Sequence, residues 1–208
     1  LLALTFFHTN IYASRFRFIL NDRIKTVSSD RSDTDFEGIY CDTKGMWCEN
    51  SAERLYKEGI FEGIKIGNYR YFQPDAQITR GEFLLYAETV SDLADGVIKQ
   101  VPFDDFPVVP VWQQRIVSKM YGAGVISGAV EGGKLYGNFD EQISRLDAAQ
   151  IISKALKLPP SASADSYSDS YLIPSYALEA VRSVSDSKIM KGYGDGSFRP
   201  YVKVTRGM

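Results

Sequence analysis

The chain has 208 residues, of which 44% are hydrophobic and 13% aromatic, so it can bury a sizeable core as one large domain or as a few small modules. A net charge of −2 gives no overall basic field, which argues against nucleic acid as a partner. No stretch reaches the roughly eighteen apolar residues of a membrane-spanning helix, so no membrane span is expected in the chain.

The N-terminal segment, residues 1–37, allows two interpretations. Leu1–Phe7 is apolar and is followed by small residues typical of a cleavage site, which favours the remnant of a secretory signal. Alternatively, Ser14–Leu20 and Arg23–Val27 form two short strands at the tail of an upstream domain, because polar and apolar residues alternate there. The polar end of the segment is interpreted as a linker.

Histidine and cysteine usage argues against catalysis and metal binding. The one histidine, His8, lies in the N-terminal segment, so the rest of the chain lacks the usual general base and the usual metal ligand. Cys41 and Cys48 share one short loop, and such a pair is too small for a zinc site. They are expected either to form a local disulfide or to remain free thiols, depending on the compartment. The sequence therefore predicts no enzyme, no metal and no cofactor.

Self-similarity at a nearly constant interval indicates three tandem repeats, predicted at residues 38–98, 101–158 and 165–208. An aromatic residue and a glycine each recur at intervals of 65 and 64 residues, and an arginine recurs at intervals of 65 and 61. These positions are Trp47, Trp112 and Tyr176 for the aromatic residue, Gly63, Gly128 and Gly192 for the glycine, and Arg80, Arg145 and Arg206 for the arginine.

A first helix is predicted in each repeat. Trp47 and Trp112 and the apolar residues that follow them fall close to helical spacing, which favours buried positions for both rings. Gly59 and Gly124 are typical of the left-handed residue that ends a helix, whereas the third repeat has Lys188 at this position. A short apolar turn and a loop with a recurrent aromatic ring are expected next.

A second helix is predicted to start at the recurrent arginine. Thr79 and Glu82 form the pattern of a reciprocal capping box, and Ser144 and Asp147 form a shorter version of it. In the third repeat the chain stops at Met208, where this helix is due, so that repeat is expected to be incomplete.

The third repeat carries the most specific motif. Gly192–Pro200 reads GYGDGSFRP and is followed by Val204, Thr205 and Arg206. With the aromatic residue and aspartate that open each repeat, this pattern resembles the S-layer homology repeat over about residues 38–208. The resemblance implies a mainly α fold, in which three tandem helix-loop-helix repeats, the third truncated, are arranged about a pseudo-threefold axis.

Departures from the family pattern fall at the second helix. Gly81 and Leu146 stand where the family prefers a small residue, usually alanine, and Asp147 stands where it usually has glutamate.

The resemblance also implies a function. Such proteins hold pyruvylated secondary cell wall polysaccharide in grooves between repeats, so an extracellular, non-catalytic anchor of a surface protein on the bacterial cell wall is expected. The alternatives are a component that self-associates in a surface lattice and the anchoring end of a wall-active or polysaccharide-degrading enzyme.

The residues expected to bind the polysaccharide share three kinds of chemistry. An arginine at a helix start offers a fork of donors beside free amides, glycines let a sugar approach the backbone, and tryptophan rings stack on a sugar face. The set is Arg80, Arg145, Arg206, Gly63, Gly128, Gly192, Trp47 and Trp112. The arginines alternatively bridge acidic residues of the next repeat.

Overall fold

The computed structural model describes residues 38–93, 100–161 and 167–208. His8 and both interpretations of residues 1–37 lie outside this part of the chain. The described part is mainly helical, as predicted, and divides into two compact units, residues 38–76 with Thr205–Met208, and the described residues between 77 and 204. Within it, no helix has the combination of length and apolar character that crossing a membrane requires.

The first unit is built on one helix and one hairpin. Helix α1 spans Glu49–Lys57, and strands β1, Ile64–Ile66, and β2, Tyr69–Tyr71, pair antiparallel. Tyr40 and Phe72 pack with α1 to form the core of this unit, with their ring centroids 5.3 Å apart.

The second unit holds the other four α-helices of the described residues. They are α2 (Arg80–Thr89), α3 (Val111–Gly122), α4 (Arg145–Ala155) and α5 (Ser175–Asp186), and a second antiparallel hairpin is formed by β3 (Ala129–Glu131) and β4 (Lys134–Tyr136). Helix α2 packs on α3, α4 packs on α5, and α2 also contacts α4. Two clusters of buried apolar side chains lie between these helices.

The helix ends follow the sequence prediction. Gly59 and Gly124 have φ of 70° and 72°, the left-handed conformation expected of a C-terminal glycine. Lys188 adopts the same conformation, with φ of 58°. Beyond it, the amide of Ile189 donates to the carbonyl of Val184 at 2.9 Å, which closes the last turn of α5 as the glycine ends do in α1 and α3.

The two hairpins were not predicted, because the sequence pattern there indicates only a turn and a loop. Their signals were present in the sequence. Gly67–Asn68 and Gly132–Gly133 are two-residue connections of the kind that joins antiparallel strands. Gly67 has φ of 62°, while Gly132 and Gly133 have φ of 57° and 79°, so each turn uses a conformation that glycine adopts without strain.

Candidate functional site

The predicted helix starts are present at two of the three arginines. Helix α2 begins at Arg80 with Thr79 as its N-cap, and Thr79 and Glu82 form the complete reciprocal capping box. Helix α4 begins at Arg145, and the Ser144 side chain accepts from the amide of Asp147.

The free amides expected beside these arginines are not available to a ligand. The amide of Arg80 donates to the carbonyl of Glu141 at 2.7 Å, and the amide of Arg145 donates to the carbonyl of Val202 at 2.9 Å. The next amide in each helix donates to a loop carbonyl as well, and the third is used by the N-cap hydroxyl. An anion at this place therefore depends on the guanidinium, and the helix start contributes only its dipole.

The Arg145 side chain is held by contacts within the protein. Its side chain is buried, Nε donates to the carbonyl of Phe198 at 2.9 Å, and Nη2 donates to the carbonyl of Lys191 at 2.8 Å. The guanidinium also lies 4.7 Å from the ring centroid of Phe198 and 5.0 Å from that of Tyr193. Burial lowers the pKa of this guanidinium, which stays charged at neutral pH. These contacts place Arg145 beside Gly192 and give it a structural role.

Arg206 has a similar arrangement in the first unit. Its Nη1 donates to the carbonyl of Phe72 at 2.7 Å, and its guanidinium carbon lies 4.8 Å from the ring centroid of Phe61. The Nε atom is buried and has no hydrogen-bond partner among the described residues.

The Arg80 guanidinium differs from those of Arg145 and Arg206 because it lies near a carboxylate. Its Nη1 lies 3.7 Å from Oδ1 of Asp147, and its side chain is 18% exposed. Burial lowers the pKa of the guanidinium, and the charges of Asp147, Asp105 and Glu141 oppose this shift. Its Nε atom is buried and lacks a hydrogen-bond partner within the described part of the chain. Arg80 therefore lies close to an acid of the next predicted repeat, as one of the two alternatives expects, and its binding of a polysaccharide stays a prediction.

One cavity of about 510 Å³ brings several of the predicted residues together. Arg80 and Gly128 line it, together with Tyr176, the residue that corresponds to the two tryptophans. Lys154 and Lys203 add two positive charges to its lining, and Glu141 and Asp147 add two negative charges. The cavity can thus offer a sugar an aromatic ring and a guanidinium, with more positive than negative groups around them.

The recurrent glycines are explained by packing against a ring. A Cβ atom on Gly63, Gly128 or Gly192 would lie 2.4, 2.5 or 2.4 Å from the nearest ring carbon. The rings are those that open each predicted repeat, Tyr40, Phe103 and Tyr167. These glycines are needed for the core whether or not a sugar approaches them.

The buried positions favoured for the two tryptophans are wrong, because Trp47 is 73% exposed and Trp112 is 37% exposed. Helix α1 begins after Trp47, so helical spacing cannot be counted from it. In α3, Trp112 lies in the first turn, and its neighbour Gln113 is the residue that faces the core. Stacking on a sugar, the alternative for these rings, remains a prediction.

A recurrent aspartate has a structural role that the sequence analysis missed. The carboxylate of Asp42 accepts from the amides of Phe72 and Gln73 at 2.8 and 2.7 Å, and Asp105 accepts from Gly137 and Asn138 at the same two distances. Asp169 does the same with the amides of Phe198 and Arg199. The second residue of each amide pair has φ between 54° and 56°. Each aspartate therefore stabilises a sharply turned loop that lies next to one of the recurrent arginines in space.

The recurrent phenylalanine does not occupy the same sequence position throughout. The amides bound by the aspartates belong to Phe72 and Phe198 in two cases but to Gly137 in the other. A Cβ atom on Gly137 would lie 2.1 Å from the ring of Phe139, so that ring fills the space beside the loop from two residues further along the chain.

The two cysteines are free thiols in this structure, with Cys41 partly buried and Cys48 buried. Of the two alternatives for this pair, the unbridged one is observed.

Comparison with known proteins points to the family that the motifs resemble. The sequence profile of the S-layer homology domain matches residues 40–84 and 166–207. An endoglucanase of Bacillus sp. (strain KSM-635) is 27% identical in an alignment of 172 residues, and the match covers 78% of this chain and 17% of that protein. The surface-layer 125 kDa protein of Lysinibacillus sphaericus is 26% identical over 126 residues, 60% of this chain and 10% of that protein. The chain thus spans less than a fifth of the length of either relative.

Proposed function

We propose that the chain, whose residues 40–84 and 166–207 match the profile of the S-layer homology domain, anchors a protein on the bacterial cell wall without catalysing a reaction. The binding partner is an anionic secondary cell wall polysaccharide, with a pyruvate ketal as the charged group. The site of action is the cell surface, outside the membrane.

The observation that carries this proposal is the cavity at Arg80. It is large enough for a sugar residue, with a volume of about 510 Å³, and it combines a partly exposed guanidinium with the ring of Tyr176. The Arg80 side chain is 18% exposed, so its guanidinium charge can pair with a ligand carboxylate. Its Nε atom is buried and takes no part in this pairing.

The three repeats, at residues 38–98, 101–158 and 165–208, are proposed to surround a pseudo-threefold axis. The support is that each predicted binding arginine lies against the loop of a different predicted repeat, at Glu141, Val202 and Ala76. The three arginines differ in their contacts. Arg80 lines a cavity and lies near the Asp147 carboxylate, and Arg145 and Arg206 donate to backbone carbonyls.

The relatives favour two roles for the protein that is anchored. Similarity to an endoglucanase supports the anchoring end of a polysaccharide-degrading enzyme, and similarity to a surface-layer protein supports a component of a surface lattice that self-associates. Both roles use the same wall-binding module, so the test below addresses the shared step. Hydrolysis of a wall glycan by residues 1–208 alone would contradict a purely anchoring role.

The first prediction concerns Arg80. Arg80→Ala should weaken binding to purified wall sacculi by about 2–5 kcal/mol, because it leaves the ligand carboxylate without its charged partner. Arg80→Lys should recover only part of the loss, since a single ammonium cannot form two parallel hydrogen bonds. Binding is measured at matched folded fraction, on sacculi with and without their non-peptidoglycan polymer.

The control for charge is Arg54→Ala, which removes an exposed arginine of α1 and should leave binding unchanged. Arg145→Ala should instead lower the free energy of unfolding, because Arg145 satisfies two loop carbonyls. Unchanged affinity of Arg80→Ala, or equal binding to sacculi stripped of the polymer, would contradict the proposed function.

A further inference from the structure

We infer that Asp147 is a built-in competitor for the Arg80 guanidinium, and that this one carboxylate limits how tightly the cavity binds an anionic sugar. The inference rests on the proposed function, because it concerns the affinity of the same site. It starts from the difference between two helix starts that have the same hydroxyl cap but acids of different length.

At the start of α2, the longer acid is occupied by its own helix. Glu82 Oε2 accepts from the backbone amide of Thr79 at 2.9 Å, while the Thr79 hydroxyl accepts from the amide of Glu82. The carboxylate is therefore turned back to the residue before the helix. Within this chain, a glutamate at this position is thus shown to complete the capping box.

At the start of α4, the shorter acid does not make this bond. Asp147 Oδ2 accepts from the Ser144 hydroxyl at 2.6 Å, in place of the Ser144 amide. Its other oxygen, Oδ1, lies 3.7 Å from Nη1 of Arg80. The loss of one methylene thus leaves a carboxylate oxygen facing the arginine.

Both partners line the same cavity, so the pair is placed where a ligand would act. The Asp147 side chain is 43% exposed, which means that water and a ligand both reach it. A ligand carboxylate that pairs with Arg80 either displaces Asp147 or lies beside its negative charge, and both weaken binding. The charges of Glu141, which also lines the cavity, and of Asp105 act on Arg80 as well, but among the described residues only the Asp147 carboxylate lies within ion-pair distance of its guanidinium.

The sharpest test is Asp147→Glu, because it keeps the net charge and moves only the position of the carboxylate. The longer side chain should complete the capping box, as Glu82 does, and release Arg80. The probe is a hexopyranoside that carries a pyruvate ketal, with the same glycoside lacking the ketal as the reference. We expect Asp147→Glu to raise affinity for the ketal by about threefold to tenfold, and Asp147→Asn to raise it at least as much.

Two controls separate competition from general charge and from folding. Asp140→Asn removes an exposed carboxylate in the loop before α4 and should change affinity less than twofold. The double variant Arg80→Ala with Asp147→Glu should lose the gain, because the gain acts through Arg80. Folding of each variant is verified by its thermal unfolding midpoint.

The outcomes distinguish this inference from the proposed function. If Arg80→Ala abolishes ketal binding while Asp147→Glu and Asp147→Asn bind no more tightly than the wild type, the competition is wrong and the proposed function stands. If neither the wild type nor Asp147→Glu binds the ketal or the sacculi, both are wrong. An equal gain in the Arg80→Ala background would also overturn the role of Asp147.

Discussion

At the end of α5, a lysine adopts the backbone conformation that glycine adopts at the ends of α1 and α3. Lys188 has φ of 58°, in the left-handed region, which costs a residue with a Cβ about 1–2 kcal/mol. Glycine avoids this strain but loses more conformational entropy on folding, by roughly 0.5–1 kcal/mol. The net advantage of glycine over lysine at this position is therefore smaller than the strain alone. The sequence alone shows the exception, because Lys188 stands at the position of Gly59 and Gly124.

The second prediction follows from this conformation. Lys188→Gly should raise the free energy of unfolding by about 0.5–1 kcal/mol, measured by urea denaturation. The reverse change, Gly124→Lys, should lower it by a similar amount. A lower free energy of unfolding in Lys188→Gly would mean that contacts of the lysine side chain stabilise the fold by more than its left-handed backbone destabilises it.

Single residues were predicted well where the signal is local. Thr79 and Glu82 are three residues apart and interact with each other, so their pairing could be inferred from the sequence. Trp47 shows the opposite case, because its exposure depends on where α1 begins. Asp147 has the right partner in Ser144, but its contact with Arg80 depends on the packing of segments 67 residues apart, which the local pattern does not contain.

The packing of α2 on α3 explains the glycine at position 81. A Cβ atom on Gly81 would lie 1.8 Å from the side-chain nitrogen of Gln113, which is buried in α3. The glycine in one helix and the glutamine in the other are therefore complementary. Alanine at position 81 would improve the helix but would overlap with this amide.

The third prediction is a reversal of sign at Gly81. Gly81→Ala should lower the free energy of unfolding by about 1–2 kcal/mol in the wild type, because the overlap outweighs helix propensity. In a Gln113→Ala background the same change should raise it by about 0.5–1 kcal/mol, because the space is then open. The measurement is a double-mutant cycle by urea denaturation. Additive effects would show that the two side chains are not coupled.

The elements were predicted unevenly. The helices were predicted, because their apolar periodicity, their N-caps and their C-terminal residues lie in consecutive stretches of sequence. The hairpins have only three residues per strand, and β1 is exposed along its length, so no buried face alternates with a polar one. The two-residue turns at Gly67–Asn68 and Gly132–Gly133 were the available signal. The bonds from Asp42, Asp105 and Asp169 span about thirty residues and could not be derived from local sequence.

The first compact unit joins residues that are far apart in the chain, residues 38–76 and Thr205–Met208. The amide of Arg206 donates to the carbonyl of Ala76 at 2.9 Å, and that of Gly207 donates to the carbonyl of Pro74 at 2.8 Å. The Arg206 side chain adds the bond to Phe72. The late segment therefore supports the loop that follows β2.

The fourth prediction concerns this support. Arg206→Ala should lower the free energy of unfolding by about 2 kcal/mol, because it removes a charged donor from the Phe72 carbonyl and the guanidinium from the Phe61 ring. Amide exchange at residues 72–76 should increase, as measured by hydrogen–deuterium exchange. Arg206→Met keeps the apolar stem and should show a smaller loss of stability. Equal exchange in all three proteins would contradict the structural role of the guanidinium.

Phe139 has a consequence for how such sequences change over time. Its ring reaches the space beside Gly137 from two positions downstream, and Asp105 holds the loop through backbone amides that every residue except proline possesses. The loop needs a side chain that fills the space beside Gly137 and two backbone amides that donate to Asp105. Neither requirement fixes the residue type at one sequence position. A phenylalanine can therefore fill this space from position 137 or from position 139. A comparison that scores each position separately counts Gly137 as a lost phenylalanine, although Phe139 fills the same space.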